Sequence, residues 1–249
     1  MTLSFAQRVL KSRRTPILFH TWTVTREVLA QAISENRSID LDIAIDENGE
    51  PYLGHSREYY EKTWSRPFKS MPIWEAIDQV ADSTIPALID CKDFNAWPVV
   101  EKIIARIGEH RCVVHAFVSE LRFEFSRAQG EPDFVTEWSP IATLRSLKSR
   151  FPALTVNASA KWLPADFLVS ESHAPLLLEI RNLLKENQID SVCLNVPDPT
   201  FSDASLRFFL DEGIINHVGV DLADTTKLTE LYIGESNLLE CTSKDLLLP

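Results

Sequence analysis

The sequence predicts a single (β/α)8 (TIM) barrel, and three observations predict it. Short apolar runs rich in β-branched residues alternate with longer amphipathic segments from end to end, which is typical of parallel βαβ units. The apolar runs number eight, and a chain of 249 residues is about the length that eight such units require. No Pro/Gly/Ser-rich linker divides the chain. We therefore expect one domain over residues 1–249.

The elements follow from hydrophobic periodicity in chain order. Strands are predicted at 16–21, 38–45, 86–91, 111–118, 153–158, 190–195, 214–221 and 237–241. Helices are predicted near 24–36, 72–82, 96–108, 140–150, 174–187, 203–212 and 225–233. Thr23 is the expected N-cap of the first of these helices, and Ser202-Asp203 that of the sixth. Residues 3–12 are predicted to form a short helix that closes the bottom of the barrel. Their pattern also suits a membrane surface, but packing is the commoner outcome for a short segment.

Composition excludes several classes of function. The chain has 25 Lys+Arg against 36 Asp+Glu, a net charge of −11, which argues against a nucleic-acid partner. No apolar run approaches a membrane span, and the seven glycines form no dinucleotide or phosphate-loop motif. The four widely spaced cysteines fall in apolar runs, which indicates buried free thiols in a reducing cytosol. We expect a cytoplasmic protein.

Polar residues fall at the ends of successive predicted strands, where barrels of this type build their active sites. The first is His20, next to last in the first strand. Side chains alternate along a strand, so Leu18 and His20 share one face. A lone histidine in such a place is more often structural. A functional role for His20 therefore depends on the polar residues of the adjoining strands.

Two aspartates follow on the second predicted strand. Asp40 and Asp42 are two residues apart and share one face, while Ile39, Leu41 and Ile43 form the opposite face. Burying two like charges side by side is costly unless a cation compensates them. A solvated edge strand is the alternative, and the apolar opposite face argues against it. The pattern therefore indicates a metal site.

The third strand ends in Asp90-Cys91-Lys92, which puts Asp90 and Lys92 on one face. In isolation this pair would be a simple ion pair. Beside the two aspartates of the second strand, Asp90 supplies a third hard oxygen ligand of the kind that Mg²⁺ or Ca²⁺ prefers. Lys92 then supplies fixed positive charge for an anionic substrate.

A tight turn is predicted between these features. Asn48-Gly49 signals a chain reversal, after which a short apolar arm returns toward the same rim and presents His55 there. Two histidines and three carboxylates are therefore expected to converge at one mouth of the barrel.

In these residues the sequence resembles the glycerophosphodiester phosphodiesterase superfamily, whose members are TIM barrels. The matching motifs, in order, are His20-Thr21, Asp40-Leu41-Asp42, Asn48-Gly49, His55-Ser56, Met71-Pro72-Ile73-Trp74-Glu75 and Asp90-Cys91-Lys92. Close matching covers residues 16–93, and Val218-Gly219-Val220-Asp221 fits a later unit in pattern. The chain departs from the family at four positions: Thr21 replaces an arginine, Asp40 and Asp90 replace glutamates, and Ser56 replaces an aspartate. It looks like a divergent member, near branches such as the spider-toxin phospholipase D-like enzymes or the menorin-like proteins.

The resemblance implies metal-dependent cleavage of a phosphodiester, either by hydrolysis or with formation of a cyclic phosphate. The substrate class would be a glycerophosphodiester or a lysophospholipid-like molecule. By analogy Asp40, Asp42 and Asp90 would bind one Mg²⁺ or Ca²⁺. His20 and His55 would act as general base and general acid, in an order that the sequence leaves open. Lys92 would bind a non-bridging phosphate oxygen.

Two other hypotheses stay open. One is a Schiff-base aldolase or lyase in which Lys92 or Lys161 attacks a carbonyl. The other is a non-catalytic metal- or ligand-binding relative that kept the barrel, suggested by Thr21 and Ser56.

Other polar residues near the strand ends are weaker candidates. Glu120, Asn157, Lys161 and Trp162 are possible lining residues of the pocket, with structural roles equally open. His115 lies inside an apolar run and is predicted to be a core histidine. The sequence does not predict the oligomeric state.

Overall fold

The computed structural model of the chain describes nine stretches of the sequence. They are residues 2–12, 17–20, 24–54, 70–121, 139–160, 174–194, 209, 211–221 and 238–242. The strands within them are β1 (Ile17–His20), β2 (Ser38–Ile45), β3 (Pro51–Leu53), β4 (Ala87–Cys91), β5 (Cys112–Phe117), β6 (Thr155–Ala160), β7 (Ser191–Leu194), β8 (Ile215–Asp221) and β9 (Leu238–Thr242). The helices are α1 (Phe5–Ser12), α2 (Arg26–Ser34), α3 (Ile73–Asp82), α4 (Trp97–Ile107), α5 (Ile141–Arg150) and α6 (Ala174–Glu186).

Eight parallel strands close into a ring. The order is β1-β9-β8-β7-β6-β5-β4-β2, and β1 also pairs in parallel with β2, which joins the two ends of the sheet. The ninth strand, β3, lies antiparallel to β2 as the return arm of a hairpin. The predicted (β/α)8 barrel is confirmed.

The stagger of the ring follows from the strand registers. One line of paired residues runs Asp42, Asp90, His115, Asn157, Ser191, Ile215 from β2 to β8. A second line, in the other direction, runs Ser38, Leu18, Glu240, Gly219 and also ends on β8. On β2 the first line starts at Asp42, four residues after Ser38 of the second line. On β8 the first line ends at Ile215, four residues before Gly219 of the second line. The register therefore shifts by eight residues around the ring, the shear expected of an eight-stranded barrel of this type.

The outer face of the ring carries the larger core. Alternate residues of the strands, such as Leu41, Ile89 and Val114, pack under buried residues of the helices, such as Ile77 and Ile104. These side chains are fully buried. Removing their apolar surface from water supplies most of the driving force that holds the helices on the sheet.

Helix α1 closes the amino-terminal end of the barrel. Phe5 and Ala6 pack in one buried cluster with Leu88, Val113 and Ile215, which lie on the interior face of their strands. The backbone N–H of Ala6 also donates a 2.8 Å hydrogen bond to the Thr155 hydroxyl of β6. The prediction of a short helix at the bottom of the barrel is confirmed.

The other predicted elements agree with the structure wherever it describes them. The eight predicted strands match the eight ring strands to within a few residues at each end. Helix α2 begins later than predicted, so its N-cap is Thr25, whose hydroxyl accepts a 3.2 Å hydrogen bond from the Val28 N–H. The predicted caps Thr23 and Ser202-Asp203 and the predicted helix 225–233 lie outside the described residues, as does nearly all of 203–212. Among the described stretches no helix is long and apolar enough to cross a membrane.

Candidate functional site

A hairpin follows β2 at the carboxyl-terminal end of the barrel. Asp46 begins its turn, and its carboxylate accepts 2.8 Å hydrogen bonds from the backbone N–H groups of Asn48 and Glu50. Gly49 has a φ of +82°, a conformation that glycine adopts without strain. The turn predicted from Asn48-Gly49 is confirmed, and its return arm is β3.

The hairpin brings the chain back to the first carboxylate pair. Strand β3 ends at Leu53, opposite Ile43, and the next residue, Gly54, donates its N–H to the backbone oxygen of Asp42 at 2.8 Å. His55 follows directly in sequence. Its own position lies outside the described residues, but the residue before it is tied to the backbone of Asp42.

Three carboxylates line the interior of the ring beside one another. Asp40 and Asp42 lie on β2, and Asp42 is the register partner of Asp90 on β4. The three residues are 1%, 4% and 6% exposed, so all are buried. The structure thus brings together the carboxylates that the alternation of residues on the second and third predicted strands places on one face.

Lys92 is the positive partner of this cluster. Its Nζ lies 3.3 Å from Asp42 Oδ1 and donates a hydrogen bond to Asp90 Oδ2. The Lys92 side chain is only 10% exposed, and its backbone N–H donates to the Ile43 oxygen at 2.9 Å, which fixes the strand end. The sequence places Lys92 on the face of Asp90, as the structure does. What it does not reveal is the second contact with Asp42.

The charges around Lys92 keep it protonated. Burial alone would lower the pKa of Lys92, but the carboxylates of Asp42, Asp90 and Asp40 raise that pKa well above its usual value. A Schiff-base lysine must lose its proton to attack a carbonyl, so this environment opposes that role for Lys92. The other lysine of that hypothesis, Lys161, lies outside the described residues.

The donor set fits a divalent cation in charge and chemistry. The buried carboxylates of Asp40, Asp42 and Asp90 lie around the ammonium of Lys92, so acidic side chains outnumber basic ones by two among these four groups. Asp90 Oδ1 is buried and accepts no hydrogen bond from the described residues. Carboxylate oxygens are the ligands that Mg²⁺ and Ca²⁺ prefer. Within the described stretches, however, no three His, Cys, Asp or Glu side chains are already arranged around one point as metal ligands.

The first histidine of the motif set lies at the end of the strand beside the carboxylates. His20 is the last residue of β1 and the register partner of Thr242. The β1–β2 pairing aligns Phe19 with Ile39, so the next residue on each strand is His20 and Asp40. The backbone therefore brings these two positions together; the His20 side chain is outside the described part of the molecule.

A further histidine, His115, lies in the barrel interior. It is 4% exposed, is the register partner of Asp90 and of Asn157, and has its Nδ1 3.4 Å from Asn157 Nδ2. Its ring stands edge-on to that of Phe117. The predicted burial of His115 is confirmed. Its position beside the carboxylates was hidden because the flanking residues on β5 are apolar.

Glu120, a weaker candidate for the pocket, has a structural contact instead. Its carboxylate accepts hydrogen bonds from the backbone N–H of Ile141 at 3.0 Å and from the Ser119 hydroxyl at 2.8 Å. Ile141 is the first residue of α5, whose N-cap Pro140 makes no side-chain cap bond. Glu120 therefore caps α5 across 21 residues of chain, where negative charge also suits the helix dipole. Of the other weak candidates, Asn157 is buried in the barrel interior beside His115, whereas Lys161 and Trp162 are not among the described residues.

Comparison with solved structures supports the fold. Glycerophosphodiester phosphodiesterase from Thermotoga maritima is 15% identical with a TM-score of 0.56, covering 91% of this chain and 94% of that chain. The enzyme of the same name from Agrobacterium tumefaciens is 14% identical with a TM-score of 0.56, covering 94% and 98%. The HpcH/HpaI aldolase from Desulfitobacterium hafniense is 10% identical with a TM-score of 0.51, covering 97% and 91%. No family model matches the sequence, and no curated protein sequence is significantly similar to it.

These likenesses show a barrel fold shared with phosphodiesterases and with an enzyme of different chemistry. Because one barrel fold supports many reactions, the function has to be argued from the site itself. The chain is thus a (β/α)8 barrel, similar in fold to glycerophosphodiester phosphodiesterases, with a buried carboxylate–lysine cluster inside it.

Proposed function

We propose that the protein is a metal-dependent phosphodiesterase that cleaves a small glycerophosphodiester or lysophospholipid-like substrate. The observation that carries this proposal is the buried cluster of Asp40, Asp42, Asp90 and Lys92 on neighbouring strands of the ring. The backbone of His20 ends the adjoining strand, and His55 follows a residue bonded to Asp42. The ordered motifs of residues 16–93 and the fold likeness support the same reaction class.

The proposed roles follow from charge and position. The three carboxylates would hold one Mg²⁺ or Ca²⁺, which when bound neutralises phosphate charge. Lys92, held protonated among them, would contact a non-bridging oxygen of the substrate. His20 and His55 would exchange protons with the attacking and leaving oxygens, a task suited to groups that titrate near neutral pH.

The setting of the reaction is part of the proposal. A small diester, without a nucleic-acid partner, suits a protein of net charge −11 in which a local cation and Lys92 attract the anionic substrate. Three cysteines, Cys91, Cys112 and Cys193, are buried free thiols, as expected for a protein of the reducing cytosol.

A turnover assay with histidine variants tests the proposal. The purified protein is assayed on a panel of phosphodiesters with Mg²⁺, with Ca²⁺ and with EDTA. Activity should require one of the ions. His20→Ala and His55→Ala should each lower kcat by about 10²–10⁴-fold, the usual contribution of a general acid or base. His110→Ala, in the short helical turn before β5 at the opposite end of the barrel, is the matched control and should keep full activity.

The outcomes separate the competing hypotheses. Absence of turnover on the whole panel, or full activity of His20→Ala, would refute the phosphodiesterase proposal. Tight metal binding without turnover would favour the non-catalytic relative. Metal-independent activity on a carbonyl substrate, with borohydride trapping on Lys161, would favour the aldolase.

A further inference from the structure

Strand β6 presents a row of polar side chains to the barrel interior. Val156 and Ala158 belong to the core under the helices, so Thr155, Asn157 and Ser159 lie on the opposite, inner face. Two contacts agree with this inward orientation. The Thr155 hydroxyl accepts a hydrogen bond from helix α1, which closes the barrel, and Asn157 lies beside His115 of β5. The inner face of β6 is therefore polar from the bottom of the barrel to its mouth.

The stagger of the ring fixes the height of each of these residues. The register line that starts at Asp42 changes height by one residue per strand, because a shift of eight residues is spread over eight strands. It descends, because it ends at Ile215, which packs against α1 at the closed end. Two strands on from β4, the partner of Asp90 along this line is Asn157, which lies two residues lower. Ser159, two residues after Asn157, is thus level with Asp90. Alternate strands contribute side chains to the same layer in barrels of this type.

The next alternate strand places a glycine in that layer. Ser159 pairs with Cys193, and Cys193 pairs with His217 of β8, so the residue of β8 at the level of Asp90 and Ser159 is Gly219. A glycine contributes no side chain to the interior. Ser159 and Gly219 are therefore two small residues at a level where larger branched side chains usually fill a barrel.

The Ser159 hydroxyl finds no hydrogen-bond partner in the part of the chain that the structure describes. Ser159 is 0% exposed, and its Oγ makes no hydrogen bond within the described part of the chain. A buried hydroxyl without a partner destabilises the folded state, so such groups in native proteins usually meet a ligand or an ordered water. Ser191 on β7 has the same properties, but it lies three residue levels below Asp90, roughly 8 Å deeper at ~3.3 Å per residue along tilted strands.

We infer that Ser159 is a specificity-determining residue whose hydroxyl binds the alcohol part of the substrate. This inference rests on the proposed phosphodiesterase function. On the proposed function, Lys92 and a cation held by the three carboxylates would meet the phosphate charge on the β2–β4 side of the barrel, and Ser159 stands two strands away as a neutral group. A hydroxyl can both donate and accept, so it matches an alcohol that carries hydroxyl groups of its own. A site built to bind a hydroxyl rejects the analogue that lacks it.

A matched pair of serine variants tests the inference. Ser159→Ala and Ser191→Ala each remove one buried hydroxyl that accepts and donates no hydrogen bond among the described residues, so both variants should fold with at least wild-type stability in urea. With a glycerol phosphodiester as substrate, Ser159→Ala should lower kcat/KM by ~5–100-fold, the range for one lost hydrogen bond. With the propyl diester, which lacks the hydroxyl groups, it should change kcat/KM less than about twofold. Ser191→Ala should leave both values within about twofold of wild type.

Calorimetric binding of glycerol 3-phosphate, with Mg²⁺ or Ca²⁺ present, separates this inference from the proposed reaction. One possible result is that wild type binds the monoester, Ser159→Ala weakens that binding, and no diester is turned over. This result would support the role of Ser159 in binding the alcohol and would refute the proposed hydrolysis. If Ser159→Ala matches Ser191→Ala in binding and in substrate preference, the hydroxyl meets only water and the inference is overturned. A wild-type protein that neither binds nor cleaves these probes overturns both.

Discussion

Lys92 holds the charge balance of the barrel interior. Its ammonium contacts Asp42 and Asp90, with side chains only 4% and 9% exposed, and also interacts with the charge of Asp40. Removing one partner of a buried ion pair leaves charge that neither water nor protein compensates. The residue is therefore a structural counterion as well as a candidate for phosphate binding.

Replacing Lys92 by methionine should destabilise the protein by about 3–5 kcal/mol in EDTA, the range for a broken buried pair. Millimolar Mg²⁺ or Ca²⁺ should restore part of this loss, because a cation binding only the folded state stabilises it. Urea unfolding with and without the ion measures both effects. Asp90→Asn/Lys92→Met is the control, with a smaller loss in EDTA. Equal stability of wild type and Lys92→Met in EDTA would contradict the assignment.

The buried cysteines give a second prediction at the scale of single residues. Cys91, Cys112 and Cys193 are buried, and burial raises the pKa of Cys112 to about 12 although Arg111 nearby lowers it. The reactive species is the thiolate, which such a thiol does not form at neutral pH. Ellman's reagent at pH 8 should therefore leave these three thiols of the native protein unlabelled. In denaturant all four should react. Rapid native labelling of two or more would contradict the burial.

Individual elements depend on contacts that cross between helices. The guanidinium of Arg111, just before β5, donates to the backbone oxygens of Val80, Ala81 and Ser83 at the end of α3. It also donates two bonds to the Ile107 oxygen at the end of α4. One side chain thus satisfies the free carbonyls of two helix ends, where positive charge also suits the helix dipoles.

Arg111→Met should lower the free energy of unfolding by about 2–3 kcal/mol, the range for hydrogen bonds from a charged group to buried acceptors. Arg111→Lys should lower the free energy of unfolding by an intermediate amount. The lysine ammonium lacks the planar fork of donors with which the guanidinium reaches both helix ends. Arg145→Met, at an exposed position on α5, is the control and should change stability by less than about 0.5 kcal/mol. Chemical denaturation of the three variants makes the comparison. Similar values for Arg111→Met and the control would rule out the double cap.

Helix α1 offers a separate test. Phe5 is 5% exposed in the cluster that closes the barrel, whereas Leu3 is 38% exposed just before the helix. Phe5→Ala should cost about 3–5 kcal/mol, and Leu3→Ala less than about 1 kcal/mol. Thermal and urea unfolding distinguish the two. A Phe5→Ala variant as stable as Leu3→Ala would show that the packing of Phe5 at the closed end does not stabilise the protein.

Periodicity predicted most elements because both core layers are regular. Apolar runs such as 38–45 gave the strands, and the alternation within them placed Asp40 and Asp42 on the interior face. Contacts between distant segments escaped prediction. The Glu120 cap of α5 and the Asp42 contact of Lys92 depend on how separate loops and strands meet, which no local pattern contains.

The sequence around Ser159 contains a pattern that indicates its face but not its role. Thr155, Asn157 and Ser159 alternate with apolar residues, which predicts a polar inner face, but small polar residues carry no reaction chemistry of their own. Which of these residues lies beside the carboxylates depends on its height along the barrel axis. That height depends on the shear of the closed ring. Residue height in a barrel becomes known only once every strand pairing is known.

At the scale of the whole molecule, the single domain over residues 1–249 remains a prediction. A closed ring in which β1 pairs with both β2 and β9 links the two ends of the chain. Calorimetry should therefore show one unfolding transition, with calorimetric and van't Hoff enthalpies equal. Two resolved transitions, or a calorimetric enthalpy well above the van't Hoff value, would indicate independent units.

The closed register also limits how this sequence can change in length. In an open sheet, an edge strand can slip by one residue and find new partners. Here each ring strand is held on both sides, so one inserted residue within β4 would turn either Asp90 or the strand's apolar face the wrong way. Insertions and deletions should therefore be tolerated only in the connections between strands and helices. A scan of single-residue insertions would outline the barrel as a set of eight intolerant segments.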